Sequence, residues 1–185
     1  MKPNTSELSL PQGYKKLFDI NLQKNKKLAL TINLAALAIA ALMVVPALFF
    51  GPVFRLGLGQ CAVLLIGMLL YIVLHELVHG LFIKRYTSAK VRYGFTGAYA
   101  FAGADAYFYK KPYLIIALAP VIVWGLVLLG LNLALGAAWF WPVYLIQITN
   151  ISGAVGDFYV TVKLCRMADS ILVRDSGVSM KVYGQ

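Results

Sequence analysis

Histidine, cysteine and charge are all scarce in these 185 residues, which hold two histidines, two cysteines and 13% charged side chains. Two cysteines cannot build the disulfide framework of a small secreted domain. A chain so poor in charge is neither a disordered polyelectrolyte nor a coiled coil, since both need many charged positions. Acidic residues are the rarer charged class, seven against seventeen Lys and Arg, and the formal net charge is +10. In a soluble protein such an imbalance points to nucleic acid, so where the positive charges lie has to be settled. What fills the chain instead is apolar: 61% of the residues are hydrophobic, against roughly half in a soluble domain. The sequence is that of a membrane protein.

Four stretches, 28–50, 58–83, 113–135 and 138–164, are apolar over lengths that reach or exceed the roughly 20 helical residues a bilayer requires. The first is too long for a signal-peptide core of about 7–15 residues and reads as a retained anchor. The expected fold is an all-α membrane protein with four transmembrane helices. It divides into an N-terminal tail (1–27), a four-span core (28–165) and a C-terminal tail (166–185). Of the seventeen basic residues, six precede the first span, six lie between the second and third, four end or follow the fourth, and only Arg55 falls on the other side. By the positive-inside rule both tails and the central loop are cytoplasmic. The excess charge is therefore an orientation signal, anionic lipid heads suffice as its partner, and a nucleic-acid partner is not called for. Cys61 and Cys165 fall near opposite ends of their spans and are expected to stay unpaired.

Between the second and third spans the period changes. Tyr93, Phe95, Tyr99 and Phe101 alternate with Arg92, Gly94, Ala98 and Ala100, with Thr96-Gly97 as a turn, which predicts a short β-hairpin. The glycine- and alanine-rich continuation over 99–106 is an alternative re-entrant loop, sheltered inside the protein. A second hairpin is expected where 171–174 and 178–183 flank Asp175-Ser176-Gly177.

The second span contains His75-Glu76-Leu77-Val78-His79, an H-E-x-x-H motif. At 3.6 residues per turn the two imidazoles share one helix face, so both can reach one ion, and Glu76 is placed to take a proton from a metal-held water. With only two histidines in the chain, chance alone gives this arrangement about once in 10,000. Ionisable groups inside an apolar span are costly and are usually functional. A hydrolytic Zn2+ site takes three protein ligands and leaves one position open, and no third histidine exists. His79 lies five residues before Lys84, and Asp157 six before Lys163. At 1.5 Å per residue both sit about 8–9 Å from the cytoplasmic end of their spans. That shared depth selects Asp157 as third ligand, with Asp105 in the central loop as the alternative. Asn150, two turns before Asp157, is a candidate donor to a substrate carbonyl or developing oxyanion, or else a helix-packing amide.

With these residues in view, the chain resembles a family of small bacterial membrane zincin peptidases. Its motifs are also similar to those of site-2 protease-type intramembrane zinc metalloproteases, which carry H-E-x-x-H on one span and a metal-binding Asp on a later one. The resemblance rests on His75 through Gly80, the aromatic-glycine loop leading to Leu118-Ala119-Pro120, and Asn150 through Asp157. It implies His75, His79 and Asp157 as zinc ligands and Glu76 as catalytic base. It also implies a peptide or membrane-protein substrate and a place in the bacterial cytoplasmic membrane. The sequence departs from the site-2 pattern where Phe158 follows Asp157 in place of glycine and where no proline separates Asn150 from Asp157. The expected function is zinc-dependent endopeptidase activity near the cytoplasmic face. The rival is a metal-binding membrane protein without catalysis, either a carrier or a degenerate protease; the nearly unpolar outer halves of the spans speak against a carrier.

Overall fold

The computed structural model describes residues 5–97 and 99–185. The first three apolar runs form long helices, α1 (Lys26–Phe50), α2 (Leu58–Tyr86) and α3 (Lys110–Ala134). Local chemistry sets their ends. The Asn25 side chain accepts from the Leu28 amide at 3.0 Å and caps α1, while Lys84 and Arg85 occupy the last turn of α2, where the helix dipole favours cations.

The fourth run is not one helix. A short 3-10 turn (Ala137–Trp139) leads into α4 (Phe140–Gly153), and α5 (Val155–Cys165) follows after a break at Ala154. Ser152 and Gly153 are poor helix residues at that junction. Three helices are therefore individually long and apolar enough to cross a membrane, where four were expected.

The all-α expectation is corrected as well, because seven strands form two sheets among the described residues. One sheet is the predicted hairpin of β3 (Val91–Phe95) and β4 (Ala100–Ala104), with Tyr93 opposite Ala102 and Phe95 opposite Ala100. Its turn closes through Thr96 N to Tyr99 O at 3.0 Å and uses Gly97 at φ +85°; Ala98 lies outside the described residues. The other sheet draws on three distant segments. It comprises β1 (Ser6–Glu7), β5 (Tyr107–Tyr109), β6 (Leu172–Asp175), β7 (Met180–Gly184) and β2 (Lys15–Ile20), antiparallel and in that order. The second predicted hairpin is β6–β7. The terminal segments 1–27 and 166–185 supply β1, β2, β6 and β7.

The core lies where this sheet meets the helix ends. Phe108, Val173 and Val182 of the sheet are buried against Ile83, Ile116 and Leu164 of α2, α3 and α5. Along the helices the pattern reverses: Leu34, Leu42 and Phe49 of α1, Leu65 and Leu69 of α2, and Leu126 and Leu133 of α3 face outward. An apolar surface of this extent requires a lipid environment.

Candidate metal centre

His75 and His79 stand one turn apart on α2, their ring centroids 5.0 Å apart. The break at Ala154 starts a new helix just before Asp157, which falls in the first turn of α5, where the helix dipole favours a carboxylate. Asp157 Oδ2 lies 3.7 Å from Nε2 of both histidines. One ligand atom from each residue falls within 4.8 Å of the others, grouping His75, His79 and Asp157. Ligands about 2.0–2.1 Å from a tetrahedral zinc are about 3.3 Å from one another, so a small inward movement closes the trio on an ion. Two imidazoles and a carboxylate match the donor set of a hydrolytic zinc site.

The outer ring nitrogens are held as such a site requires. His75 Nδ1 lies 2.8 Å from the Tyr71 hydroxyl, one turn earlier on α2, and Tyr71 donates onward to Asn150 Oδ1 at 2.9 Å. With its proton committed to Asn150, Tyr71 accepts from His75, which puts the His75 proton on Nδ1 and frees Nε2. His79 Nδ1 lies 2.9 Å from the Ile116 carbonyl of α3, which can only accept, and the same tautomer follows. The freedom of that carbonyl has a sequence cause. Its helical donor would be the amide of residue 120, and residue 120 is proline.

Asn150 is fully buried behind this chain. Its Nδ2 donates to Val121 O at 3.1 Å and reaches Gln147 Oε1 at 3.5 Å, while Oδ1 receives Tyr71. Both ends of its amide are engaged, and it reaches His75 through Tyr71. Asp105, the alternative ligand, pairs instead with Arg174 on the exposed sheet. The two cysteines are free, Cys61 in the first turn of α2 and Cys165 at the end of α5.

Glu76 lines a cavity of about 150 Å³ together with His79, Asp157, Tyr113, Asp175 and the start of β4. The hairpin reaches it because residue 80, just after His79, is glycine. A Cβ there would strike the Tyr93 ring of β3. Among the described strands β4 pairs only with β3, and the backbone of its Ala102 hydrogen-bonds the Glu76 carboxylate. A second cavity of about 170 Å³ shares Tyr99, Tyr113, Asp157 and Asp175 with the first and continues to β2, α1 and β7. At the junction Tyr113 donates its hydroxyl proton to Asp175, whose Oδ1 also accepts from Gly177 N at 2.8 Å. Burial lifts the Asp175 carboxyl above the ordinary carboxylate value, against the pull of those two donors. Sequence reasoning placed Asp175 in a turn and gave it no role. Tyr71 was within reach of that reasoning, since it precedes His75 by four residues.

Lys110 fastens the far end of α5. It is buried, and its Nζ donates to Met167 O at 2.6 Å and Asp169 Oδ1 at 3.0 Å. The start of α3 is thereby tied to the end of the helix that carries Asp157.

Residues 68–172 match a family described as "Putative zincin peptidase". No curated protein and no solved structure gives a match.

Proposed function

The chain belongs to that family, and on this premise we propose that it is a zinc-dependent, membrane-embedded endopeptidase that cleaves peptide bonds near the cytoplasmic face. The observation that carries the reading is the convergence of His75, His79 and Asp157 from two helices, with Glu76 facing the adjoining cavity. His75, His79 and Asp157 would hold the zinc ion, whose bound chemistry would be an acidified water and polarisation of the scissile carbonyl. Glu76 takes a proton from the attacking water and returns it to the departing amine. Asn150 and Tyr71 keep His75 in the ligating tautomer, and Ile116 O does so for His79. The substrate is a peptide or membrane protein whose local helix has unwound. The edge of β4 that is not paired with β3, where Ala102 meets Glu76, would offer it main-chain hydrogen bonds, so an extended segment would be added as a strand beside Glu76.

We read α4 and α5 together as a fourth, broken span, with both termini and the central segment on the cytoplasmic side. Pairing of β1, β2, β5, β6 and β7 in one sheet supports this, since segments that share a sheet lie on one side of the bilayer. The reading is tested by metal analysis of the purified protein. Wild type and Glu76→Gln are expected to carry stoichiometric zinc, while His75→Ala and Asp157→Ala lose it. Zinc retained by both ligand variants overturns the site. Glu76→Gln that still cleaves a substrate accepted by wild type overturns the assignment of the base.

A further inference from the structure

The two cavities adjoin, with Tyr99, Tyr113, Asp157, Asp175 and Gly177 lining both, and their charge runs against that of the molecule. The chain carries seventeen Lys and Arg, yet none of the described ones lines either cavity, whereas three of the seven acidic residues do: Glu76, Asp157 and Asp175. Under the zinc reading, Asp157 and Glu76 face a dication. For Asp175, one nearby group able to carry positive charge is the imidazole of His79. The donors to Asp175 are the Tyr113 hydroxyl and the Gly177 amide, both neutral. The neighbouring cation, Arg174, pairs with Asp105 and contacts the Tyr107 hydroxyl, and strand alternation sends it to the opposite face of β6. Lys181, next to Met180 of the cavity wall, is turned away from Met180 by the same alternation in β7.

The surroundings of Asp175 complete a recognisable chemistry. The second cavity, about 170 Å³, is walled by Ile20, Leu22, Ile32 and Met180 and by the rings of Tyr113 and Tyr159. Cavities near 150 Å³ admit a benzene-sized group, so there is room for one long side chain. Apolar walls, aromatic rings and one carboxylate suit a side chain with an apolar stem and a cationic head. A half-buried carboxylate held only by neutral donors is incompletely compensated, and an arriving ammonium or guanidinium relieves that cost.

We propose that the second cavity is a specificity subsite in which Asp175, braced by Tyr113 and Gly177, receives a lysine or arginine side chain of the substrate close to the scissile bond. The subsite rests on the zinc endopeptidase reading. Most of its walls (Ile20, Leu22, Ile32, Asp175, Met180) come from segments outside residues 68–172, so the selectivity belongs to this chain's own terminal segments.

The test uses dipeptide hydroxamates, whose hydroxamate chelates zinc, with lysine or its uncharged isostere norleucine at either residue. Binding to zinc-loaded full-length protein is measured by titration calorimetry in detergent, with zinc content determined on each sample. Wild type is expected to bind the better lysine probe about tenfold more tightly than its norleucine counterpart, the size of one charge-assisted contact. In Asp175→Asn the ratio is expected to fall to near one. Equal binding of the two probes to wild type, a preference for norleucine, or zinc-loaded protein that binds neither probe overturns the subsite. So does a lysine preference that survives in Asp175→Asn. Wild type without zinc overturns the metal reading beneath, and the subsite with it. Should Asp175→Asn not fold, the wild-type comparison decides alone.

Discussion

Pro120 removes one backbone donor from α3, and the carbonyl left without it, Ile116 O, orients His79. Pro120→Ala restores an amide that competes for that carbonyl. The helix is expected to gain stability while zinc affinity falls about 10–100-fold, the usual cost of losing an outer partner of a metal-bound histidine. Chelator competition measures the affinity and thermal melting of the zinc-free protein the stability; a general packing defect would lower both. Tyr71→Phe leaves Asn150 Oδ1 buried without its donor and is expected to cost about 1–3 kcal/mol of stability, read by denaturation. At this scale the site is largely legible in sequence, because the helical period places His75 and His79 together and span depth selects Asp157. The link from Pro120 through Ile116 to His79 is not legible, since it exists only once α3 packs on α2.

Among elements, the β3–β4 hairpin depends on close approach to α2. Gly80→Leu forces the Tyr93 ring off the helix, and faster hydrogen exchange over 91–104 with unchanged exchange in α3 is the expected outcome. The hairpin itself is readable from its alternating aromatics and its turn. The larger sheet is not: β1 has two residues and β5 three, and their partners lie far along the chain, so no local periodicity announces them. The broken fourth run shows the same limit, because hydropathy sees one apolar length and not the Ser152-Gly153 junction. Lys110→Met deprives the carbonyl of Met167 and the Asp169 carboxylate of a donor and is expected to lower the melting temperature. The hydrogen bond from Lys110 holds the Asp169 carboxyl below its ordinary value. Its contribution is complete above the unfolded-state carboxylate range and fades as pH falls through the folded-state value. The stability gap between wild type and Lys110→Met should accordingly narrow below about pH 4, as followed by melting curves across pH.

For the whole molecule, the lopsided distribution of lysine and arginine predicts orientation, and two native thiols report it. Cys165 ends α5 and is exposed, whereas Cys61 opens α2. A membrane-impermeant maleimide is expected to label Cys165 in inverted vesicles and to leave it unlabelled in right-side-out ones. Labelling of Cys165 from the outer face would reverse the topology. The large sheet also imposes a schedule on biosynthesis. Ile20 pairs with Met180, and β2 has no other strand neighbour among the described residues. While the ribosome is still producing the spans, β2 waits unpaired, and the second cavity lacks both Asp175 and its Met180 wall until translation has passed them. The ligands and base are already made by then, so the last part of the catalytic apparatus to assemble is the part that would choose what is cut. A nascent chain therefore holds its chemistry before its selectivity, and closure of β7 onto β2 marks the moment at which the two coincide.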